Sequence, residues 1–248
     1  MRNISAEELK IILDKHLKWL KNEEGGEKAD LSYTNLSYAN LRHANLCRAD
    51  IRYANLCHAD LRYANLCNTN LSYTNLRYAE LYYADLRWAK LYNTYLNDAV
   101  LSHADLRYAD LRYADLCNTY LCDSKNIDET IWNIHTTFYP LQCPERGAYT
   151  AYKKASNFIV ELLIPADAKR SSATSRKCRA SKAQVISITH MDGSEYDGDS
   201  VQSDHDYNFV YRIGETVEVP NFDENRWNEC APGIHHFITR EEAVKYYL

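Results

Sequence analysis

The sequence predicts a mainly β protein in which a long coil of short strands follows an N-terminal helix and precedes a β-rich α+β unit. Three observations predict it. From Leu31 to Leu121 every fifth residue is Leu, with Ile51 the one substitute, which gives nineteen units in register. The first 28 residues instead space their apolar side chains as a helix does. Beyond residue 123 the repeat stops, and prolines appear for the first time, at Pro140, Pro144, Pro165, Pro220 and Pro232.

The N-terminal stretch "SAEELKIILDKHLKWLKNEEGGEKA" opens with Ser5 and Glu8 at capping-box spacing. It places Leu9, Ile12, Leu13, Leu17 and Leu20 on one face and stops at Gly25-Gly26. The first coil of a stacked protein exposes apolar side chains and unpaired strand edges, so residues 1–28 are expected to cover that end.

Residues 29–123 form the repeat. Two places before each central leucine stands Ala or, at Thr34, Thr69, Thr74, Thr94 and Thr119, Thr. A single residue, commonly Asn or Asp, separates the two, which is the in-out-in alternation of a short strand. The next two positions mostly hold Ser, Arg, Cys, Tyr, His or Asn and suit a solvent-facing corner. A helix is excluded, because a five-residue step advances about 500° and spreads the leucines around the whole cylinder. Fixed self-similarity of this kind marks a stack of units, each burying its apolar side against its neighbours.

The pattern resembles the pentapeptide-repeat family, whose consensus is A(D/N)LXX. That resemblance implies a right-handed quadrilateral parallel β-helix with four units per coil, so that nineteen units make about 4.75 coils and a length of roughly 23 Å. His16 and Trp19 resemble an HxxWL pattern found in the N-terminal caps of such coils.

Residues 124–140 are expected to be a linker and C-terminal cap, and residues 141–248 an α+β domain. "FIVELLIP", "AQVISIT", "NFVYRIG" and "ETVEVP" are expected as strands between turn residues, and Thr239 as the cap of a final helix. The stretches "CPERGAYTAYKK", "KRSSATSRKCRASKA" and "FDENRWNECAPGIHHFITREEA" resemble a C-terminal domain of unassigned function in bacterial and phage pentapeptide-repeat proteins. That resemblance supplies no reaction.

The best-known activity in the repeat family is imitation of duplex DNA by an acidic solenoid that binds DNA gyrase. Charge argues against it here. Residues 29–123 hold ten acids and nine bases, a net of −1, whereas duplex DNA carries one negative charge per about 1.7 Å, so a mimic of roughly 23 Å needs an excess near a dozen. The same balance argues against nucleic acid as the solenoid's partner. No run of 18 apolar residues and no apolar N-terminal leader core occurs, so a cytoplasmic protein without a membrane span is expected. Cys47, Cys57, Cys67, Cys117 and Cys122 sit at outward positions that Ser, Arg or Tyr fill elsewhere, as small surface residues in a reducing compartment do.

Thirteen of the 21 tyrosines lie in the repeat. With four units per coil, Tyr33, Tyr53, Tyr73, Asn93 and Tyr113 form one column, and His43, Tyr63, Tyr83 and His103 another. Such columns serve as stabilising ladders or as a recognition surface, and the two roles are compatible. Tyr95, Val100 and Tyr120 break the polar rule just before the central leucine. Val100 and Tyr120 stack, Tyr82 and Tyr83 lie one coil back, and the resulting apolar patch needs a cover. The expected cover is the segment bearing Ile127, Ile131, Trp132, Ile134 and Phe138, or the domain behind it, with a homodimer partner as the alternative.

In the C-terminal domain, Lys169, Arg170, Arg176, Lys177, Arg179 and Lys182 with neighbouring hydroxyls suit either a phosphate oxygen or a solvated loop. Candidate binding residues are therefore Tyr82, Tyr83, Val100, Tyr120, Arg170, Arg176, Arg179 and Trp227. Cys143, Cys178, Cys230 and His235 carry the right atoms for zinc but lack a close cysteine pair, so no metal, cofactor or catalytic residue is assigned. The sequence points to an interaction or scaffold protein, monomer or homodimer, with a protein partner. A ligand-binding or enzymatic C-terminal domain is the alternative, and topoisomerase inhibition a third.

Overall fold

The computed structural model describes residues 1–138, 141–204, 206, 209–229 and 231–246, and the chain divides into two compact units, Met1–Pro140 and Leu141–Leu248. In the first, the residue before each central leucine pairs in parallel with its counterpart twenty residues on: Asp30 with Asp50, Asn35 with Asn55, and so on to Val100 with Tyr120. Twenty residues thus close one coil, and four five-residue units make its four sides. The central leucines from Leu31 to Leu121 are buried, as are the alanines two places earlier except Ala39 and Ala44. Threonines at that position are buried with their hydroxyls bonded: Thr69 Oγ1 donates to the Leu46 carbonyl at 2.7 Å and Thr119 Oγ1 to that of Leu96 at 2.8 Å.

Each corner is a tight turn. The Ala64 amide donates to the Leu61 carbonyl at 3.0 Å, and the second corner residue, Tyr63, has φ of 60°. Positive φ recurs every five residues from Tyr33 to Asp123. A left-handed conformation costs a non-glycine residue about 1–2 kcal/mol, and the repeat supplies compensation at most corners. The outward Asn or Asp accepts the amide two residues on: Asn40 from Arg42 at 3.2 Å, Asn65 from Cys67 at 3.1 Å, Asp85 from Arg87 at 3.1 Å. This bond gives the A(D/N)LXX consensus its polar letter. Asparagines also bond between coils, Asn75 Nδ2 to Asn55 Oδ1 at 3.0 Å and Asn55 Nδ2 to Asn35 Oδ1 at 3.2 Å.

The N-terminus joins this lattice. Strand β1 (Arg2–Asn3) pairs in parallel with β2 (Thr34–Asn35), and Asn35 Nδ2 donates to Asn3 Oδ1. Helix α1 (Ala6–Leu20) is capped by Ser5, whose hydroxyl accepts the Glu8 amide. Leu17 departs from the expected apolar face and is exposed, while His16 is fully buried and accepts the Ala29 amide on Nδ1 at 3.0 Å. The inward stripe runs Leu9, Ile12, Leu13, His16, Leu20, because a residue seven places on returns within about 20° of Leu9 while one eight places on swings about 80° away.

Beyond the last leucine the ladder continues. Lys125, Ile131 and Thr137 pair with Asp105, Asp110 and Asp115, and Ile127 and Thr136 turn inward. The linker therefore extends the coil, rather than covering Val100 and Tyr120 as its apolar content suggested. Ile131 and Ile134 point outward, and Tyr120 is 57% exposed.

The second unit is built on a four-stranded antiparallel sheet ordered β10 (Thr216–Glu218), β7 (Lys182–His190), β4 (Phe158–Ile164), β3 (Tyr149–Ala155). A three-stranded sheet follows the order β11 (Ile234–His236), β6 (Cys178–Ala180), β5 (Arg170–Ser172), and β8 (Ser200–Gln202) pairs with β9 (Val210–Arg212). Tyr152 and Phe237 exchange both backbone bonds at 2.8 Å, tying β3 to the chain just after β11. The core gathers Val160, Leu162 and Ile164 of β4, Ala183, Val185 and Ile188 of β7, and Ala151 and Ala155 of β3. Helix α2 (Arg240–Lys245) carries the Thr239–Glu242 capping box.

Candidate functional site

The solenoid corners form stacked aromatic columns. Tyr33, Tyr53 and Tyr73 stack at 4.7 and 4.8 Å. At the gap left by Asn93, Tyr92 bridges edge-on from Tyr73 at 5.6 Å and meets Tyr113 at 5.2 Å. His43, Tyr63, Tyr83 and His103 stack at 5.0, 5.3 and 4.7 Å, with Tyr82 edge-on to Tyr83 and His103. Arg42 lies over Tyr63 and Arg77 over Tyr95. Val100 and Tyr120 are successive rungs above Glu80, the residue two places before Tyr82, so these candidates share one stretch of the coil wall. The charges nearby are answered locally: Arg62 bonds both Asp60 oxygens and also meets Glu80 at 3.0 Å.

The C-terminal candidates are placed differently. Arg170 donates to the carbonyls of Pro144, Gly147, Pro165, Ala166 and Ala168, fastening two loops. Arg179 is buried and bonds the carbonyls of Pro232 and Asn225, and Arg176 pairs with Glu242 at 2.7 Å. Trp227 is buried beneath the Arg226 guanidinium, 4.4 Å from its ring centroid. Arg170 and Arg179 thus hold backbone segments together, a placement the composition of the basic run did not signal.

Cys143 and Cys178 are both buried, and the Cys178 thiol donates to the Arg176 carbonyl at 3.9 Å. Their interaction lowers the pKa of Cys143 and raises that of Cys178. Cys230 lies outside the described residues. Among the described residues, no three His, Cys, Asp or Glu side chains gather where they could hold a metal.

His235 and His236 point to opposite faces of β11. His235 Nε2 donates to the Glu229 carbonyl at 2.9 Å, and burial holds its pKa at about 3. His236 Nδ1 is 2.9 Å from the Ile234 carbonyl, which can only accept, so the proton sits there and Nε2 accepts the Tyr149 hydroxyl at 3.0 Å. Burial lowers His236 to about 4.

His235 lines a cleft of about 780 Å³ with Lys153, Lys154, Lys177 and the rings of Tyr211 and Tyr246. Two exposed carboxylates, Asp206 and Glu218, line it as well. Lys153 is the unexpected member. It shares the core-facing side of β3 with Ala151 and Ala155 and is 9% exposed. Its ammonium lies 5.8 Å from the Tyr211 ring centroid and has no hydrogen bond or ion pair among the described residues. Burial pulls its pKa down to about 8, against the pull of Asp204 and with the push of Lys177. The signal was in the sequence: Ala151, Lys153 and Ala155 alternate as one strand face, and the small alanines leave the lysine room.

Residues 139–243 match a family of unknown function, DUF5758. Residues 27–62, 49–85, 58–98 and 84–121 match pentapeptide repeats. No curated protein matches the sequence. Among solved structures, the chain is similar to a pentapeptide repeat protein from Nostoc Pcc 7120 (29% identity over 50% of this chain and 95% of that one, TM-score 0.40). It is also similar to Rfr23 from the cyanobacterium Cyanothece 51142 (32%, 44% and 70%, TM-score 0.22). A third is HetL of Nostoc sp. strain PCC 7120, a pentapeptide repeat protein involved in heterocyst differentiation regulation (32%, 42% and 58%, TM-score 0.19). With leucine-centred units paired every twenty residues, the chain belongs to the pentapeptide-repeat family.

Proposed function

We propose that the chain is an interaction protein that binds a protein partner on the solenoid wall bearing Tyr82, Tyr83, Val100 and Tyr120. One observation carries this reading. Ladder stacking accounts for aromatic rings at the corners, but it does not account for the loss of Asn or Asp at Val100 and Tyr120. Neither side chain can supply the oxygen that elsewhere accepts the corner amide, so each exchange gives up about 0.5–1.5 kcal/mol of local bonding. What replaces it is a half-buried valine and an exposed tyrosine on the wall that also carries Tyr82 and Tyr83, the composition of an interface centre. A net charge of −1 across residues 29–123 supports a protein partner over imitation of DNA. In this reading α1 covers the first coil, and the protein works in the cytoplasm.

The test is the double variant Val100→Asn, Tyr120→Asn, which restores the residue that other units carry. Its urea midpoint is expected to equal or exceed that of the wild type, while a protein captured from the native host by the wild type is lost. A wild-type mass in solution twice that of the chain, halved in the variant, identifies the partner as a second copy. Capture and mass unchanged in the variant contradict the reading.

A further inference from the structure

We propose that the cleft at Lys153 binds a small anion carried on an aromatic or heteroaromatic ring. A lysine facing the inside of a sheet is costly, because an ammonium leaves water only at a large desolvation penalty unless an opposite charge or full hydrogen bonding replaces it. Lys153 makes no hydrogen bond or ion pair among the described residues: Asp204 attracts it without pairing, and its close contact is the face of Tyr211. A ring at 5.8 Å offsets only part of the penalty. The fold nevertheless makes space for this side chain with Ala151 and Ala155, both fully buried. An anion entering the cleft supplies the missing charge.

The second cation is held for the same purpose. Lys177 Nζ donates to the Tyr246 hydroxyl at 3.3 Å and lies 5.5 Å from that ring's centroid, which leaves other ammonium protons to face the cleft. Two lysines converging on one cavity suit the charge of a phosphate or carboxylate. Four aromatic rings share the lining with Val219, Pro220, Pro232 and the exposed carboxylates of Asp206 and Glu218: Phe237 and Tyr246 meet at 5.1 Å, and Phe209 meets Tyr211 at 5.3 Å. A bare inorganic anion leaves those faces uncovered, whereas a ring-bearing anion engages the lysines and the rings together. The volume, about 780 Å³, is that of a small-molecule site.

Three aldehydes test this on the full-length protein: pyridoxal 5′-phosphate, pyridoxal and glyceraldehyde 3-phosphate, which carry ring and phosphate, ring alone and phosphate alone. Each forms an imine with a neutral lysine amine and releases water. Borohydride then delivers hydride to the imine carbon, leaving a stable secondary amine for peptide mapping. Labelling of Lys153 is read relative to the exposed lysines, which normalises for the reactivity of each aldehyde. Pyridoxal 5′-phosphate is expected to favour Lys153 about ten-fold or more over either single-feature aldehyde. Lys177→Gln, with unchanged circular dichroism, is expected to remove most of the advantage over pyridoxal. Equal selectivity for all three aldehydes, or labelling confined to exposed lysines, overturns the proposal.

Discussion

The two units handle polar groups in opposite ways. Inside the solenoid the only buried side-chain polar groups between Leu31 and Leu121 are threonine hydroxyls, and its charges stay outside, answered by residues close in sequence or one coil away. The C-terminal unit buries Lys153, Arg179 and His236 among its strands. A repeat that bonds its corners locally can vary its outer letters freely, which leaves room for Val100 and Tyr120. An aperiodic domain that holds ionisable groups in its interior gives up stability to do so, and such groups gather where a ligand is bound.

The comparison breaks most readily at a central leucine. Leu66→Ala leaves a cavity closed by the coils on either side and is expected to cost about 2–5 kcal/mol, whereas Arg62→Ala on the outside should leave the urea midpoint almost unmoved. Equal shifts for both would overturn the inside and outside assignment.

Lys153→Met retains the hydrocarbon stem and removes the buried charge. It is expected to stabilise the second unit at pH 7 by up to about 3 kcal/mol. The advantage should fade between pH 8 and 10.5. There the folded lysine has lost its proton while the unfolded one keeps it, so wild-type stability rises with pH. A difference between the two proteins that is flat across this window would contradict a buried, depressed lysine.

Asn55→Ala sharpens the solenoid side. It removes the acceptor for the Cys57 amide and both bonds to Asn35 and Asn75, and should cost about 1–2 kcal/mol by thermal unfolding. The smallest expected effect is on gyrase: with nearly balanced charge, the protein should leave supercoiling unaffected, and dose-dependent inhibition would restore the DNA-mimic alternative.

The solenoid was legible because its information is local and repeated nineteen times. The inward Leu, Ala and Thr, the solvent-facing corners and the column from His43 to His103 follow from spacing alone once a coil has four sides. Where a contact depends on three-dimensional detail, spacing falls short: Tyr92 spans the gap at Asn93, and His16 displaces Leu17 from the inward stripe. The second unit was legible in its strands β4, β7, β9 and β10 and in the Thr239 cap. Strand β3 escaped because its inward face is Ala151, Lys153 and Ala155, which reads as polar until its pairing with β4 fixes the register. The arginines escaped for the same reason, since Arg170 and Arg179 bond carbonyls far away in sequence.

The most direct test of this contrast is hydrogen exchange followed by mass spectrometry as the pH falls from 6.5 to 4, corrected for intrinsic rates. His236 titrates at about 4 when folded and near 6.5 when unfolded, so the unfolded state binds the extra proton in this window and stability falls with pH. The loss is about 3 kcal/mol from His236 alone. In the solenoid, arginine hydrogen bonds hold the carboxyls of Asp50 and Asp60 below the usual carboxylate range. Amides of β3, β6 and β11 are therefore expected to lose protection on acidification while those of the central coils, residues 50–120, keep theirs. Parallel loss in both units, or retention in both, would contradict the account.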